Sequence, residues 1–258
     1  MINMLQLLTW IQFIFTLTIL TYTSISDWKK REVPNQIWIF TYPIACLITL
    51  IGKITELITL HTILTSLLFS TILGLTLFFA GLYGGADVKA LLFIGLSLPL
   101  NPFNLTPTTL PFVFTVFCNA TLLCLVYPLA IFILNLKDTL RGKNMFEGLE
   151  LSSKEKTWLF FTTRKISKEK ISLKHLPAET IENKKEKPVR KTLHFIQAET
   201  DLTTQLKIIK ENKELYKTEI LTTPTIPSIC FFTIALITGT LGNLLIFLIT
   251  TLQNIIHI

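Results

Sequence analysis

The sequence predicts an all-α membrane bundle of six transmembrane helices, with a small mixed α+β domain inserted between helices five and six. Two observations carry this. Half of the residues are hydrophobic and only 16% are charged, against about 25% in soluble domains, and mean hydropathy is +0.55. The charges are also segregated: 19 of the 24 Lys and Arg residues and 13 of the 17 Asp and Glu residues lie between 137 and 222. The rest of the chain carries only Asp27, Lys29, Lys30, Arg31, Glu32, Lys53, Glu56, Asp87 and Lys89. That pattern excludes an ordinary soluble domain.

Each span is justified by its length, since about 20 apolar residues cross a bilayer as a helix. Residues 4–25, 57–82, 111–136 and 227–249 meet that length. Residues 36–51 are short. Residues 88 to about 106 are the weakest case, because the strictly apolar part is 90–100, and a run so short also suits a re-entrant piece. Parity decides for a span. The Lys-Lys-Arg at 29–31 and the basic polar module both belong on the cytoplasmic side by the positive-inside tendency. Four crossings between them return the chain to one face, so six spans result, with both termini outside. The domains expected are 1–136 for helices one to five, 137–222 for the polar module, and 223–258 for the last helix. The first run has no basic residues ahead of it and no A-x-A-like site after it, so it reads as a span rather than a cleaved signal.

The four cysteines, Cys46, Cys118, Cys124 and Cys230, all fall in apolar runs without C-x-x-C spacing. They read as reduced thiols filling apolar space, and no metal or other cofactor is implied. Inside the polar module, 158–161 and 193–196 are β-prone runs, 202–216 has apolar residues at helical spacing, and 181–191 reads as a solvated turn or loop. Its net charge of +6 fits topology and anionic lipid headgroups, at about 1 kcal/mol per basic residue. No motif points to nucleic acid.

Two charges stand out because charge near a membrane is costly and is a functional hypothesis by default. Asp27 closes the first apolar run, and Asp87 follows a glycine-rich junction, "GLYGGA", at 81–86. The glycines suggest a backbone that turns sharply there. Two crossings separate the sites, so both carboxylates lie at one membrane face, and outside the polar module they are the only aspartates. Two nearby carboxylates cannot both ionise freely, and a pair sharing one proton can deprotonate water while polarising a peptide carbonyl. No Ser nucleophile elbow, phosphate loop or histidine metal spacing competes with that chemistry.

At these residues the chain resembles the type IV prepilin peptidases, membrane aspartyl proteases with a G-x-G-D motif. The first motif reads Asp27-Trp-Lys-Lys-Arg-Glu-Val33-Pro34-Asn35, and the second reads Gly84-Gly85-Ala86-Asp87-Val88-Lys89 followed by Ala90 and two leucines. Ala86 stands where the family has its second glycine. The early C-x-x-C insert of bacterial members is absent, and the pattern is closer to the archaeal preflagellin (archaellin) peptidases, with a polar module after the fifth span and one closing helix.

The resemblance implies a cell-membrane endopeptidase with Asp27 and Asp87 as the catalytic pair, facing the cytoplasm. Its substrates would be archaellin or pilin-like precursors carrying a short basic leader before an apolar helix. Gly84, Gly85, Ala86, Lys89, Pro34 and Asn35 support the two motifs. Lys29, Lys30, Arg31 and Lys89 read as anchors at membrane-lipid headgroups, with Lys89 also placed to act on a neighbouring aspartate. Three other readings use the same residues: a presenilin-type protease, an ion-coupled transporter, and a non-catalytic assembly protein of a filament system. The first has more spans. The second predicts carboxylates near mid-bilayer and repeat halves.

Overall fold

The structure, a computed structural model, describes residues 4–102, 110–147, 149, 151–172, 174–184, 187–192 and 219–256. The chain divides into two compact units, Met1–Cys124 with Pro227–Ile258, and Leu125–Ile226.

Among the described residues, the regular elements of the first unit are all helices. Helix α1 is Met4–Lys30, α2 is Asn35–Ile54, α3 is Leu60–Phe79, α4 is Gly85–Ser97 and α5 is Phe112–Cys124. After the second unit come α8, Ser228–Leu241, and α9, Leu244–Ile256. Helix α1 runs 27 residues without an interior Pro or Gly and stops where Arg31 takes a left-handed backbone, φ 57°. Pro34 then opens α2, because a fixed φ near −60° suits a helix entrance and the missing N–H is not needed there. Thr59 caps α3 by accepting the Thr62 N–H. Gly81, with φ 71°, follows its end.

Helix α4 is the shortest of the first five along with α5, yet it is the hub. It packs against α1, α2, α3, α5 and α8, and Ala90, Leu91, Phe93 and Ile94 are wholly buried. Phe15, Trp38 and Tyr42 surround the Phe93 ring at centroid distances of 5.6–5.9 Å. On the other side Gly95 lets α3 approach closely, and Ser66 Oγ donates to the Gly95 carbonyl at 2.8 Å. Small residues with a cross-helix hydrogen bond are how helices associate where lipid removes the hydrophobic drive. The buried polar side chains pair likewise, Thr16 Oγ1 to Ser97 Oγ at 2.8 Å and Gln12 Nε2 to Thr49 Oγ1 at 3.2 Å. Large apolar side chains such as Phe40, Leu68 and Phe79 face outward, 70%, 62% and 81% exposed. A water-facing bundle would not carry such a surface, and lipid accepts it.

Among the described residues, four helical stretches are able by length and composition to cross a membrane: Met4–Lys30, Asn35–Ile54, Leu60–Phe79 and Phe112–Leu140. A fifth is counted if α8 and the following 244–254, bent by 57°, form one broken span. The run expected to be short, 36–51, is comfortably long because helix continues to Ile54. Helix α4, at 13 residues, reaches only about 20 Å.

The second unit holds α6, Val126–Leu140, and α7, Ser153–Thr162, with five strands. These are β1, Arg164–Ser167; β2, His175–Pro177; β3, Glu179–Lys184; β4, Lys187–Thr192; and β5, Glu219–Pro224. Strand β5 lies between β1 and β2, antiparallel to both, and β3 pairs with β4. The buried Asn135 amide ties α6 to α7 by donating to the carbonyls of Phe160 and Thr163 at 2.8 Å each. A mixed α+β composition is thus as expected, but two local readings are corrected. Residues 158–161 are helical, because Ser152 and Glu155 form a reciprocal capping box that starts a helix ahead of them. Residues 181–184 and 187–191 lie in strands β3 and β4, paired in register from Glu179↔Thr192 to Lys184↔Lys187, while 185 and 186 lie outside the described residues. Thr180, Ile181, Val189 and Thr192 supply the strand preference that the lysines mask, and Pro188 is tolerable in a two-stranded ribbon with no central strand. The runs 193–196 and 202–216 lie outside the described residues, as does the end of the 88–106 run.

Candidate active site

Asp27 sits in the last turn of α1, and its carbonyl accepts the Arg31 N–H at 2.9 Å as the helix closes. Asp87 is the third residue of α4, after the N-cap Gly84. Its Oδ2 accepts the Gly84 N–H at 3.0 Å, which is one half of a capping box. A helix N-terminus favours a carboxylate at this position. The two aspartates, from helices that enter the bundle in opposite chain directions relative to the site, come near enough for the charge of Asp87 to act on Asp27.

The third component is the start of α8. Ser228 Oγ donates to Asp87 Oδ1 at 2.7 Å, and the backbone of the adjacent Ile229 lies close enough to the Asp27 carboxyl to act on it. Three contacts one turn away fix α8 against α1. Ser24 Oγ donates to the Ile229 carbonyl at 3.1 Å and pairs with Thr233 Oγ1 at 2.6 Å, while Cys230 Sγ reaches the Ser24 carbonyl at 3.5 Å. Asp87 therefore has a donor on each oxygen. Asp27 Oδ2 is buried and has no partner among the described residues.

Arg31 turns inward. Its charge acts on both aspartates, and its Nε and Nη1 are buried without a partner among the described residues. It belongs to the site rather than to a headgroup anchor, whereas Lys29 and Lys30 are exposed. Lys89 Nζ donates to Asn35 Oδ1 at 2.7 Å, so the two sequence motifs are joined directly through these side chains. Tyr42 adds a second link, its hydroxyl donating to the Lys89 carbonyl at 2.8 Å.

The glycine-rich stretch turns the chain between α3 and α4 as expected, and the turn falls at Gly81, φ 71°. Gly84 has φ −80°, and Gly85 is an ordinary first-turn residue, so neither needs a left-handed backbone. In this junction only Gly81 does. Ala86 packs its methyl group against the core of the bundle. The alanine at the family's glycine position is thus accommodated by the fold.

The sequence points to the two aspartates that the structure brings near one another, but not to Ser228, Ile229 or the inward turn of Arg31 beside them. A Pro-Ser pair opening an apolar run is a helix-start signal, yet it says nothing about what that serine faces. Arg31 is the third of three basic residues, and only its left-handed backbone separates it from the other two.

These elements define a helical membrane bundle with a carboxylate pair at the ends of two helices and the start of a third helix beside both. Comparison with known proteins agrees with the motifs. Residues 14–129 match the model of the type IV leader peptidase family, a stretch containing Asp27, Pro34, Asn35, Gly84, Gly85, Asp87 and Lys89. Over that stretch, a little under half of its length, the chain is similar to the type IV leader peptidases. It is also similar to the preflagellin peptidase of Methanococcus voltae, 29% identical over 139 residues, covering 50% of this chain and 59% of that relative. Ser228 and Ile229 lie beyond the family match.

Proposed function

We propose that the protein is a membrane aspartic endopeptidase that removes short basic leaders from archaellin or type IV pilin-like precursors at the cytoplasmic membrane face. The observation that carries this reading is the pairing of Asp27 and Asp87 within one helical unit, in a stretch that matches the leader peptidases.

In this mechanism one carboxylate takes a proton from water, and the other, protonated, donates to the scissile carbonyl oxygen. The water oxygen bonds to the carbonyl carbon, and a tetrahedral diol forms. The proton taken from water then passes to the leaving amine as the C–N bond breaks, and a diol proton restores the second carboxyl. Arg31 keeps a positive charge beside the pair, so the ionised member remains accessible. The pair occupies helix ends rather than helix middles. That supports a protease meeting its substrate at the membrane edge over a transporter carrying ions through the bilayer. The six-span topology and a cytoplasmic residue block at 137–222 belong to the same proposal, with α4 completing the even number of crossings.

The test is direct. Membranes carrying the protein are incubated with archaellin and pilin-like precursors, and the new N-terminus is read by mass spectrometry. Cleavage ahead of the apolar helix, lost in Asp27→Asn and in Asp87→Asn, is the expected result. Precursors left intact by the wild-type chain would sink the proposal.

A further inference from the structure

We infer that Ser228 is a positioning residue that gives the two aspartates unequal tasks, holding Asp87 as the carboxylate that receives the proton of water and leaving Asp27 as the carboxyl that donates to the substrate carbonyl. This rests on the peptidase reading and goes beyond it, since neither the motifs nor the family match reaches Ser228.

The argument starts from hydrogen-bond inventory. A backbone N–H only donates, so Gly84 requires Asp87 Oδ2 to be an acceptor. The Ser228 hydroxyl donates to Oδ1 at 2.7 Å. A carboxyl receiving donors on both oxygens is stabilised in its ionised form. Asp27 has the Ile229 backbone nearby, and its Oδ2 is buried with no partner among the described residues. That oxygen is the one free to carry a proton. A close pair holds a single charge between neutral and mildly acidic pH, and the donors decide on which member it rests.

Burial disfavours charge on both carboxyls, and the two donors on Asp87 act against it there. Arg31 acts on both members, Tyr83 and Cys124 face Asp87, and Cys230 faces Asp27. Arg31 is the only cation among them. The adjacency of Ser228 and Ile229 adds a geometric consequence. One helix start donates to Asp87 and brings its next residue beside Asp27, so any shift of α8 is felt at both carboxyls, and Ser24 with Thr233 holds that start in place.

The experiment compares the full-length wild type with Ser228→Ala, Ser228→Thr and Ser228→Val in lipid vesicles, using a synthetic precursor. Ser228→Ala is expected to lower kcat about 10- to 100-fold, the usual loss for a hydrogen bond to a charged group, with KM changed less than threefold. Its acidic limb should move to higher pH, because Asp87 without the hydroxyl holds its proton longer. Thr restores the donor and should recover most of the rate, whereas Val has the same shape and should not. Equal activity in Thr and Val, or an unmoved acidic limb in the Ala and Val variants, would overturn the inference. A second readout needs no turnover: the infrared carbonyl stretch of the protonated carboxyl. In the wild type that band should vanish in Asp27→Asn and persist in Asp87→Asn. The opposite assignment would also overturn the inference. Because this readout is separate, a chain that cleaves no precursor refutes the peptidase reading while leaving the role of Ser228 to be decided.

Discussion

Asp87 and Asp27 reach the site by different routes, and their substitutions report on different things. Asp87 also caps its own helix, so Asp87→Asn removes catalysis and leaves a polar acceptor for the Gly84 N–H. Each single Asn variant is expected to lose at least about a thousandfold in cleavage rate, as residues acting as a unit do, and the double variant should be little worse than either. Membrane insertion should be unchanged in all three. Around the pair, basic residues divide by where they point. Lys30 is exposed and Lys30→Gln should retain most activity, whereas Arg31→Gln removes the cation beside both carboxyls and should cost about tenfold or more. A pH–rate profile checks the distinction: only the Arg31 variant should show an acidic limb moved to higher pH. Sequence reading treated the three basic residues alike, and only the inward turn at Arg31 tells them apart.

At the scale of elements, the bundle depends on how closely α4 approaches α3. A methyl group added at Gly95 would lie 2.3 Å from Ser70 Oγ and 3.0 Å from the Ser66 carbonyl. Those helices would have to separate. Gly95→Ala is therefore expected to destabilise the protein by about 1–3 kcal/mol, as overpacking does, and to disturb Asp87 on the same helix. A methyl group at Gly85 would meet nothing within 4 Å. Gly85→Ala should leave the thermal midpoint within a degree or two of wild type, although Gly85 belongs to the motif and Gly95 does not. Thermal unfolding in detergent compares the two. The break between α8 and α9 has its own support: Asn119 donates to the Gly242 carbonyl at 3.0 Å and accepts the Leu244 N–H at 2.8 Å. Irregular backbone at membrane depth persists where protein groups satisfy it, and Asn119→Leu should destabilise that bend while sparing the carboxylate pair.

For the whole molecule, orientation is the property to test. A cysteine at the exposed Lys170, in a chain whose native cysteines are replaced, should resist an impermeant thiol reagent applied outside intact cells and react after permeabilisation. Labelling from outside would break the parity of crossings on which the topology rests. The short α4 makes this measurement decisive, because length alone supports four or five spans. Its burial explains why: a helix enclosed by five others needs no lipid-matched length of its own.

The sequence by itself determined the membrane class, the segregation of charge into one module, and both aspartates. Each of these is a local property: an apolar run, a charge run, or a carboxyl set where charge is costly. The capping box at Ser152 and Glu155 spans only four residues, and the β-prone residues after it are the stronger local signal. The β3–β4 pairing was obscured because strand pairing is a relation between segments, while lysine density is visible in one. Only the tertiary structure decided that Lys89 meets Asn35, that Arg31 faces inward, and that Ser228 and Ile229 close the site from the far end of the chain. Those contacts join residues separated by a domain's length, and no local pattern encodes them. They follow from helices packing around α4, where burial and hydrogen bonding are settled by all neighbours at once.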